Sequence, residues 1–169
     1  MLGAIGFESA CQGLRLFHMQ LEYRSALPED APECVAMRGE TRENALSEDQ
    51  LRSIGITARS WAENIRSGAV AGYICTLGGR MVGYCFGAPD TGEIEVLVVL
   101  RDFENRGIGC ELLQRTTARL AEFGHRRLWL GCSPFSTSRS YGFYRHLGWR
   151  STGDFDKHGD EILEIILEP

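Results

Sequence analysis

Several segments of the chain carry apolar residues at the two-residue period of a β-strand. Residues 21–26 alternate between apolar and polar side chains, as a half-buried strand does. Residues 70–77 and 81–86 are rich in strand-forming side chains, and the Gly-Gly pair between them is typical of a tight hairpin. Residues 93–99 become continuously apolar towards their end, which predicts a central strand buried on both faces.

The patterns between the first two strands indicate helices. A proline followed by two acidic residues at 28–30 is typical of a first turn, and this helix should run through Met37. A second helical region begins at a capping serine, Ser47, with a glutamine three residues later, and reaches about residue 67. Gly55 interrupts this region, so that it forms either one interrupted helix or two short ones.

The second half of the chain alternates between helices and strands. Apolar residues recur every four positions from Ile108 to Leu120 and predict a helix that ends near Gly124. After this helix the pattern predicts a buried strand, a helix and two final strands, at residues 127–132, 140–147, 149–155 and 162–167.

The elements follow the order strand, helices, three strands, helix, strand, helix and two strands. This mixed order is typical of an α+β fold with helices around one sheet, and it excludes a strictly alternating βα barrel. A length of 169 residues with 43% hydrophobic side chains predicts a single domain, which we place at residues 20–169. Residues 1–19 show neither pattern, and we expect a flexible N-terminal extension there, either native or read from an upstream start codon.

The net charge of the chain restricts the classes of partner that it can bind. Eighteen Lys and Arg residues against 23 Asp and Glu residues give a net charge of -5, which leaves no basic surplus to neutralise a phosphate backbone. We therefore expect no nucleic-acid partner, and a cationic substrate such as an amine is favoured. We find no apolar run long enough to cross a bilayer and no secretory signal, and expect no membrane partner and a cytoplasmic location.

The six cysteines and four histidines give no sign of a metal site. The cysteines lie far apart, without the C-x-x-C pairs of a structural zinc site, and no two histidines lie three to five residues apart. We expect reduced thiols and no bound metal.

A glycine-containing loop joins the predicted central strand to the most regular helix. The loop reads Asn105-Arg106-Gly107-Ile108-Gly109-Cys110. Backbone N–H groups in the first turn of a helix have no partner within the helix, and they point outward with the positive end of the helix dipole. Because glycine lets a diphosphate approach the main chain closely, these six residues are the candidate anion-binding site.

Other phosphate-binding loops fit this segment less well. A dinucleotide fingerprint needs a third glycine where this chain has Leu112, and a P-loop needs a Gly-Lys-Ser/Thr sequence that this loop lacks. Two alternatives stay open from the residues alone. One is a nucleotide-binding redox protein that uses the same loop, and the other is a pair of glycines that only shape a turn.

The loop resembles motif A of the GNAT superfamily of acetyltransferases, written Arg/Gln-x-x-Gly-x-Gly/Ala. Gly107 and Gly109 match its glycines, whereas Glu104 stands where Arg or Gln is usual and puts a carboxylate beside the expected diphosphate. The neighbouring Arg106 is the cation that we expect to offset this charge. A second block in the correct order, residues 140–149, resembles the FYxxLGF segment of the family.

The resemblance extends from about residue 21 to the C-terminus and implies the fold and the cosubstrate. It implies a mixed, mostly antiparallel central sheet of six to seven strands flanked by about four helices. It also implies an acetyl-CoA-dependent N-acetyltransferase, in which a primary amine of a small molecule or a protein attacks directly in a ternary complex. Main-chain groups of Leu97, Val98 and Val99 would pair with the pantetheine arm, and the six loop residues would hold the diphosphate.

The resemblance also assigns two side chains on the later helix and the loop before it. Tyr144 corresponds to the tyrosine that often protonates the departing thiolate in the family, although a tyrosine at this helical spacing can also be a core residue. Thr137 stands where an asparagine often contacts the cofactor, and its hydroxyl can still donate a hydrogen bond.

Glu93 and Glu95 are the candidate bases that would deprotonate the ammonium through water. In an unbroken strand both side chains face the same side. We favour Glu93, because its spacing of fourteen residues to Gly107 resembles that of the base in some histone-modifying members. The alternative is that either glutamate is a solvated residue at the edge of the strand.

Three questions stay open at the level of sequence. The departures at Glu104 and Thr137 leave a non-catalytic acyl-CoA-binding regulatory module as the alternative function. The identity of the acceptor amine is open, because the least patterned segments build its pocket. A homodimer is open as well, because the final strand can pair within a subunit or between subunits.

Overall fold

The computed structural model describes residues 20–43 and 45–168 of the chain. Within them lie seven strands and five α-helices, in the order β1 (Leu21–Ser25), α1 (Ala31–Met37), α2 (Glu48–Ser53), α3 (Ala58–Ser67), β2 (Ala71–Leu77), β3 (Arg80–Ala88), β4 (Glu93–Val99), α4 (Ile108–Glu122), β5 (Arg127–Cys132), α5 (Arg139–His146), β6 (Arg150–Phe155) and β7 (Glu161–Ile166). The flexible extension predicted at residues 1–19 lies outside the described residues.

The seven strands form one sheet in the order β1-β2-β3-β4-β5-β7-β6. Neighbouring strands are antiparallel throughout this sheet except for β4 and β5, which are parallel. The prediction of a mixed, mostly antiparallel sheet flanked by helices is therefore confirmed.

Helices cover both faces of the sheet. The side chains of its central strands point alternately to the two faces, and because most of them are apolar, both faces must be shielded from water. On one face α4 packs over β2 and β3, and Ile108 and Leu120 are among its buried residues. On the other face α1 and α3 pack over the same strands, with Met37 against a buried cluster that contains Tyr84 and Phe86. The strands between these two layers are buried on both sides, as their nearly continuous apolar sequence predicts.

The start of α4 lies close against the sheet at Gly83 of β3. A Cβ atom at Gly83 would lie 3.0 Å from the carbonyl oxygen of Val98 and 3.1 Å from side-chain atoms of both Ile108 and Leu112. One turn further along α4, the hydroxyl of Thr116 donates a hydrogen bond of 3.3 Å to the carbonyl oxygen of Cys85. These contacts fix the position of the first turn of α4 beside β4.

The first strand is linked to the turn before α1 by an ion pair whose carboxylate is buried and whose arginine is about half exposed. Two guanidinium nitrogens of Arg24 donate to the two carboxylate oxygens of Asp30, each over 2.7 Å, and the N–H of Leu27 donates to the same carboxylate. Burial alone would raise the pKa of Asp30, but the hydrogen bonds from Arg24 and Leu27 lower it below its usual value. Folding therefore stabilises the ionised form of this carboxyl group.

Strands β4 and β5 separate soon after they begin. Glu93 pairs with Trp129, and no other register pair joins the two strands within the described residues. On its other side β4 pairs with β3, but the register shifts between Phe86 and Gly87, so that Glu95 is an extra residue without a partner on β3. A bulge of this kind bends a strand and increases its twist. A gap therefore opens between β4 and β5.

The cysteines in the described part of the chain form no disulfide bond. Cys34, Cys75, Cys85, Cys110 and Cys132 are free thiols, and Cys11 lies outside the described residues. No helix among residues 20–43 and 45–168 is long and apolar enough to cross a membrane.

Candidate active site

A cavity of about 690 Å³ occupies the gap between β4 and β5. This volume lies within the range of roughly 300–1,000 Å³ that is typical of small-molecule sites. Its walls are formed by β4, the loop before α4, the first turn of α4, the end of β5, helix α5 and residues from the segment 38–43. It lies against the strand and the loop to which the family resemblance assigns the pantetheine arm and the diphosphate.

The N-terminus of α4 opens into this cavity. The first backbone hydrogen bond of the helix runs from the N–H of Glu111 to the carbonyl oxygen of Gly107, over 3.0 Å. Residues 108–110 precede this bond and line the cavity, and no side chain among residues 20–43 and 45–168 caps their amides. Because unpaired amides and the helix dipole both attract negative charge, this end of the cavity fits a diphosphate.

The backbone conformation of the loop explains its small residues. Asn105 and Gly107 adopt left-handed conformations with φ of 61° and 79°, which glycine and asparagine tolerate best. Gly109 lies where a Cβ atom would be 3.5 Å from the ring of Phe143 and 3.6 Å from Val99. A larger side chain at position 109 would therefore fill the space between the helix start and the walls of the cavity.

The edge of β4 that faces β5 is open along the cavity. Leu97, Val98 and Val99 pair with β3 on one side, opposite Cys85, Tyr84 and Gly83. On the other side they have no register partner on β5 within the described residues, and the three residues line the cavity. Main-chain groups on this edge can therefore hydrogen-bond to an extended ligand as an added strand would.

Tyr144 on α5 also lines the cavity. Its ring contacts the rings of Phe143 and Trp149 edge-on, with centroids 5.1 and 6.2 Å apart. Burial raises the pKa of Tyr144 well above its usual value. The phenol therefore stays protonated.

The two glutamates of β4 differ in their position relative to the cavity. Glu95 lines the cavity, whereas Glu93 lies at the pairing with Trp129 where the gap closes. The expectation that both side chains face one side applies to an unbroken strand, and the bulge at Glu95 interrupts the alternation. Desolvation raises the pKa of Glu95, and the charges of Glu93 and Asp90 raise it further. Glu95 is therefore the one of the two candidate bases that lines the cavity, and desolvation raises the pKa of Glu93 as well.

The sequence-predicted residues do not all meet at the cavity. Those that line it are Glu95, Leu97, Val98, Val99, Asn105, Gly107, Ile108, Gly109, Cys110 and Tyr144. Glu93, Arg106 and Thr137 are outside its lining. Thr137 is exposed, and its predicted contact with a cofactor stays a prediction.

We expected Arg106 to offset the charge of Glu104, but the structure pairs Glu104 with two other arginines. Arg106 donates to the carbonyl oxygen of Asp102 over 3.1 Å and lies over the ring of Phe103, so its guanidinium stays within its own turn. Arg42 and Arg139 approach Glu104 instead, each with a nitrogen 3.1 Å from the same carboxylate oxygen. The departure of Glu104 from the motif signals a compensating cation, but nothing local in the sequence identifies these two.

The end of the cavity opposite the start of α4 is acidic. Asp160 lines the cavity there together with Glu95, and Asp156 lies close to Asp160 beside Gly131. Desolvation raises the pKa of Asp160, and the charge of Asp156 adds to this. Clustered carboxylates favour a cationic ligand at this end. Among the residues that the structure describes, no group of His, Cys, Asp and Glu side chains is arranged to hold a metal ion.

Comparisons with known proteins agree with this geometry. The model of the acetyltransferase (GNAT) family matches residues 22–149. The fold is similar to that of PaiA N-acetyltransferase from Thermoplasma acidophilum, solved in complex with coenzyme A, with a TM-score of 0.72, 17% identity and coverage of 88% of this chain and 99% of that one. No curated protein sequence matches the chain.

Two further solved structures show the same likeness. The ribosomal-protein-S18-alanine N-acetyltransferase from Escherichia coli has a TM-score of 0.66 at 17% identity, over 89% of this chain and 96% of that one. A Salmonella typhimurium protein solved with its cofactor acetyl-CoA has a TM-score of 0.67 at 15% identity, over 88% of this chain and 94% of that one. At these identities the likeness shows a shared fold.

Proposed function

Because the chain belongs to the acetyltransferase (GNAT) family, we propose that it transfers the acetyl group of acetyl-CoA to a primary amine by direct attack in a ternary complex. One observation carries this proposal. The gap between β4 and β5 brings the first amides of α4, an open strand edge, the phenol of Tyr144 and the carboxylate of Glu95 into one cavity.

The residues of one half of the cavity fit coenzyme A. The amides of residues 108–110 would hold the diphosphate, and the open edge at residues 97–99 would pair with the pantetheine arm. Acetyl-CoA, when bound, supplies an activated acetyl group as a thioester. A backbone N–H on the open edge of β4 would polarise the thioester oxygen, and holding the two substrates together would provide much of the rate.

Tyr144 is suited to act as the general acid. A tyrosine phenol is protonated at neutral pH, and Tyr144 lines the cavity on the side of α5. The hydroxyl is therefore available to donate a proton to the thiolate of coenzyme A.

Glu95 is suited to act as the general base. A raised pKa brings a carboxylate closer to the range in which it accepts a proton effectively, and Glu95 faces the cavity from the bulge of β4. It would remove the proton of the incoming ammonium through water, so that a neutral amine attacks. Glu95 and Asp160 would also attract an acceptor that arrives as a cation.

The proposal is tested by thiol release from acetyl-CoA in the presence of a panel of amines. The panel should contain polyamines, amino acids, aminoglycosides and peptides with free N-termini, with acetyl-CoA alone as the control. We expect thiol release that depends on at least one amine. Binding of acetyl-CoA without transfer to any member would instead support a non-catalytic acyl-CoA-binding module, and tight NAD binding would support a redox protein.

A further inference from the structure

Three charged residues from separate parts of the chain meet at the diphosphate end of the cavity. The carboxylate of Glu104 lies between Nε of Arg42 and Nη1 of Arg139, with one oxygen 3.1 Å from both nitrogens. Only 13% of the Glu104 side chain is exposed, and the shared oxygen receives no well-aligned hydrogen bond. All three residues line the cavity.

The two guanidinium groups retain donors for a ligand. A guanidinium has five N–H donors, and Arg42 directs only Nε towards Glu104. Arg139 uses Nη1 towards Glu104 and donates from Nη2 to the side-chain oxygen of Asn105 over 3.1 Å. About 42% of the Arg42 side chain and 45% of the Arg139 side chain remain exposed. The three groups together carry one net positive charge.

A second carboxylate nearby is already engaged with the start of α5. Glu43 accepts a hydrogen bond of 2.9 Å from the hydroxyl of Ser138 and bonds of 3.1 and 3.2 Å from the N–H of Arg139. It thereby links the segment that carries Arg42 to the start of α5, which carries Arg139. Both arginines are held beside the first turn of α4 from two directions.

We propose that Arg42 and Arg139 bind the diphosphate of coenzyme A, and that Glu104 is the positioning residue that holds them there. This inference rests on the proposed function and assigns residues within its cosubstrate site. The family motif carries Arg or Gln at position 104, so this chain has a carboxylate in that place and takes its cations from two other elements. Charge-assisted hydrogen bonds from paired guanidinium groups suit a diphosphate.

Isothermal titration of the full chain with coenzyme A and with dephospho-coenzyme A tests the assignment. Arg42→Ala and Arg139→Ala should each weaken binding of both ligands about tenfold, because both ligands carry the diphosphate. The affinity for pantetheine, which has no phosphate, should change less than about twofold. The control is Arg66→Ala, which removes a cation whose partner is Glu63 on the exposed surface of α3 and should leave every affinity unchanged.

The role of Glu104 is tested by combining substitutions. Glu104→Gln installs a residue that the family motif uses, yet we expect it to weaken coenzyme A binding about threefold, because the arginines lose their shared anchor. In the Glu104→Gln background, Arg42→Ala should then weaken binding about three times less than it does in the native chain.

The outcomes separate this inference from the proposed function. A native chain that fails to bind coenzyme A would overturn the proposed function itself. Native binding that Arg42→Ala and Arg139→Ala leave unchanged, or an equal loss for pantetheine, would overturn only the role of the arginines. A loss confined to coenzyme A would place them at the 3′-phosphate instead of the diphosphate. Tighter binding by Glu104→Gln would overturn the positioning role.

Discussion

Glu93 and Trp129 form the register pair at which β4 and β5 meet, and the two strands separate beyond it. A parallel pair that continued along both strands would use up the main-chain groups on this edge of β4. Because the pairing stops, those groups face a cavity instead of a neighbouring strand. The same point closes one end of the cavity and places Glu95, two residues later, inside it.

Glu95→Gln should lower kcat/KM for the amine about 100-fold at neutral pH, because it removes the proposed base. A base acts only when ionised, so the activity of the native chain should fall as the pH drops through the pKa of Glu95. That pKa is raised, so this acidic limb should lie above the usual carboxyl range near about 4.3. A pH profile of kcat/KM measures both effects, and the limb should be absent from the variant.

Glu93→Gln is the matched control for that substitution. The charge of Glu93 raises the pKa of Glu95, so neutralising it should move the acidic limb to lower pH and leave the rate at neutral pH within about threefold. A larger loss of activity with Glu93→Gln than with Glu95→Gln would assign the base to Glu93.

Tyr144→Phe should lower kcat about 10- to 100-fold, because it removes the proton donor for the thiolate while keeping the ring contacts with Phe143 and Trp149. The dissociation constant of coenzyme A should stay within about twofold, since the phosphate contacts lie elsewhere in the cavity. Steady-state kinetics and calorimetry provide the two numbers. Weaker coenzyme A binding with unchanged kcat would contradict the assignment.

Asp30→Asn should lower the free energy of unfolding by about 1–3 kcal/mol at pH 7, because it breaks charge-assisted hydrogen bonds between the half-exposed Arg24 and a buried carboxylate. The folded-state pKa of Asp30 is lowered, so its stabilisation is fully present above the unfolded pKa of about 3.9 and is lost as the pH falls through the folded value. The difference between the native and variant chains in urea unfolding should therefore be constant from neutral pH to about pH 5 and shrink below about pH 4.

The matched control for this prediction is Asp49→Asn on α2. Asp49 pairs with Arg52 over 3.2 Å, but 89% of its side chain is exposed, and exposed pairs contribute little. We expect a change of less than about 0.5 kcal/mol, with no comparable dependence on acid pH. An equal loss in both variants would refute the special role of the Arg24 pair.

Gly83→Ala should destabilise the fold by about 1–3 kcal/mol, because the added methyl group would crowd the carbonyl oxygen of Val98 and the side chains of Ile108 and Leu112. Thermal unfolding measures the loss. The control, Gly142→Ala, makes the same change on α5 where nothing lies within 4 Å of the added atom. Alanine favours a helix over glycine, so the control should be neutral or slightly stabilising.

Much of the local structure follows from short stretches of sequence. The predicted cap at Ser47 is present, since its hydroxyl accepts from the N–H of Gln50 and its own N–H donates to the Gln50 side chain. The Gly-Gly pair after β2 turns the chain with φ of 58° and 83°, as a tight hairpin requires. Gly55, in a left-handed conformation, divides the second helical region into α2 and α3. Each of these features depends on neighbours within a few residues.

Some features of the candidate site also depend only on neighbours in the sequence, and others depend on contacts between distant segments. The loop of Gly107 and Gly109 could be predicted, because its glycines, the strand before it and the helix after it are contiguous in sequence. The bulge at Glu95 could not be predicted, since it arises from the register of β3 against β4, which shifts between Phe86 and Gly87. For the same reason spacing to Gly107 favoured Glu93, whereas the structure places Glu95 in the cavity.

The sequence alone determined the order of elements, the cap at Ser47, the glycine turns and the glycine loop at a helix start that can bind an anion, because these depend on residues close together in the chain. Only the tertiary structure decided that β4 and β5 separate after Glu93, and that Arg42 and Arg139 meet Glu104. The physical reason is that such contacts form between distant segments when helices pack against the sheet, and their geometry depends on the packing of the whole domain.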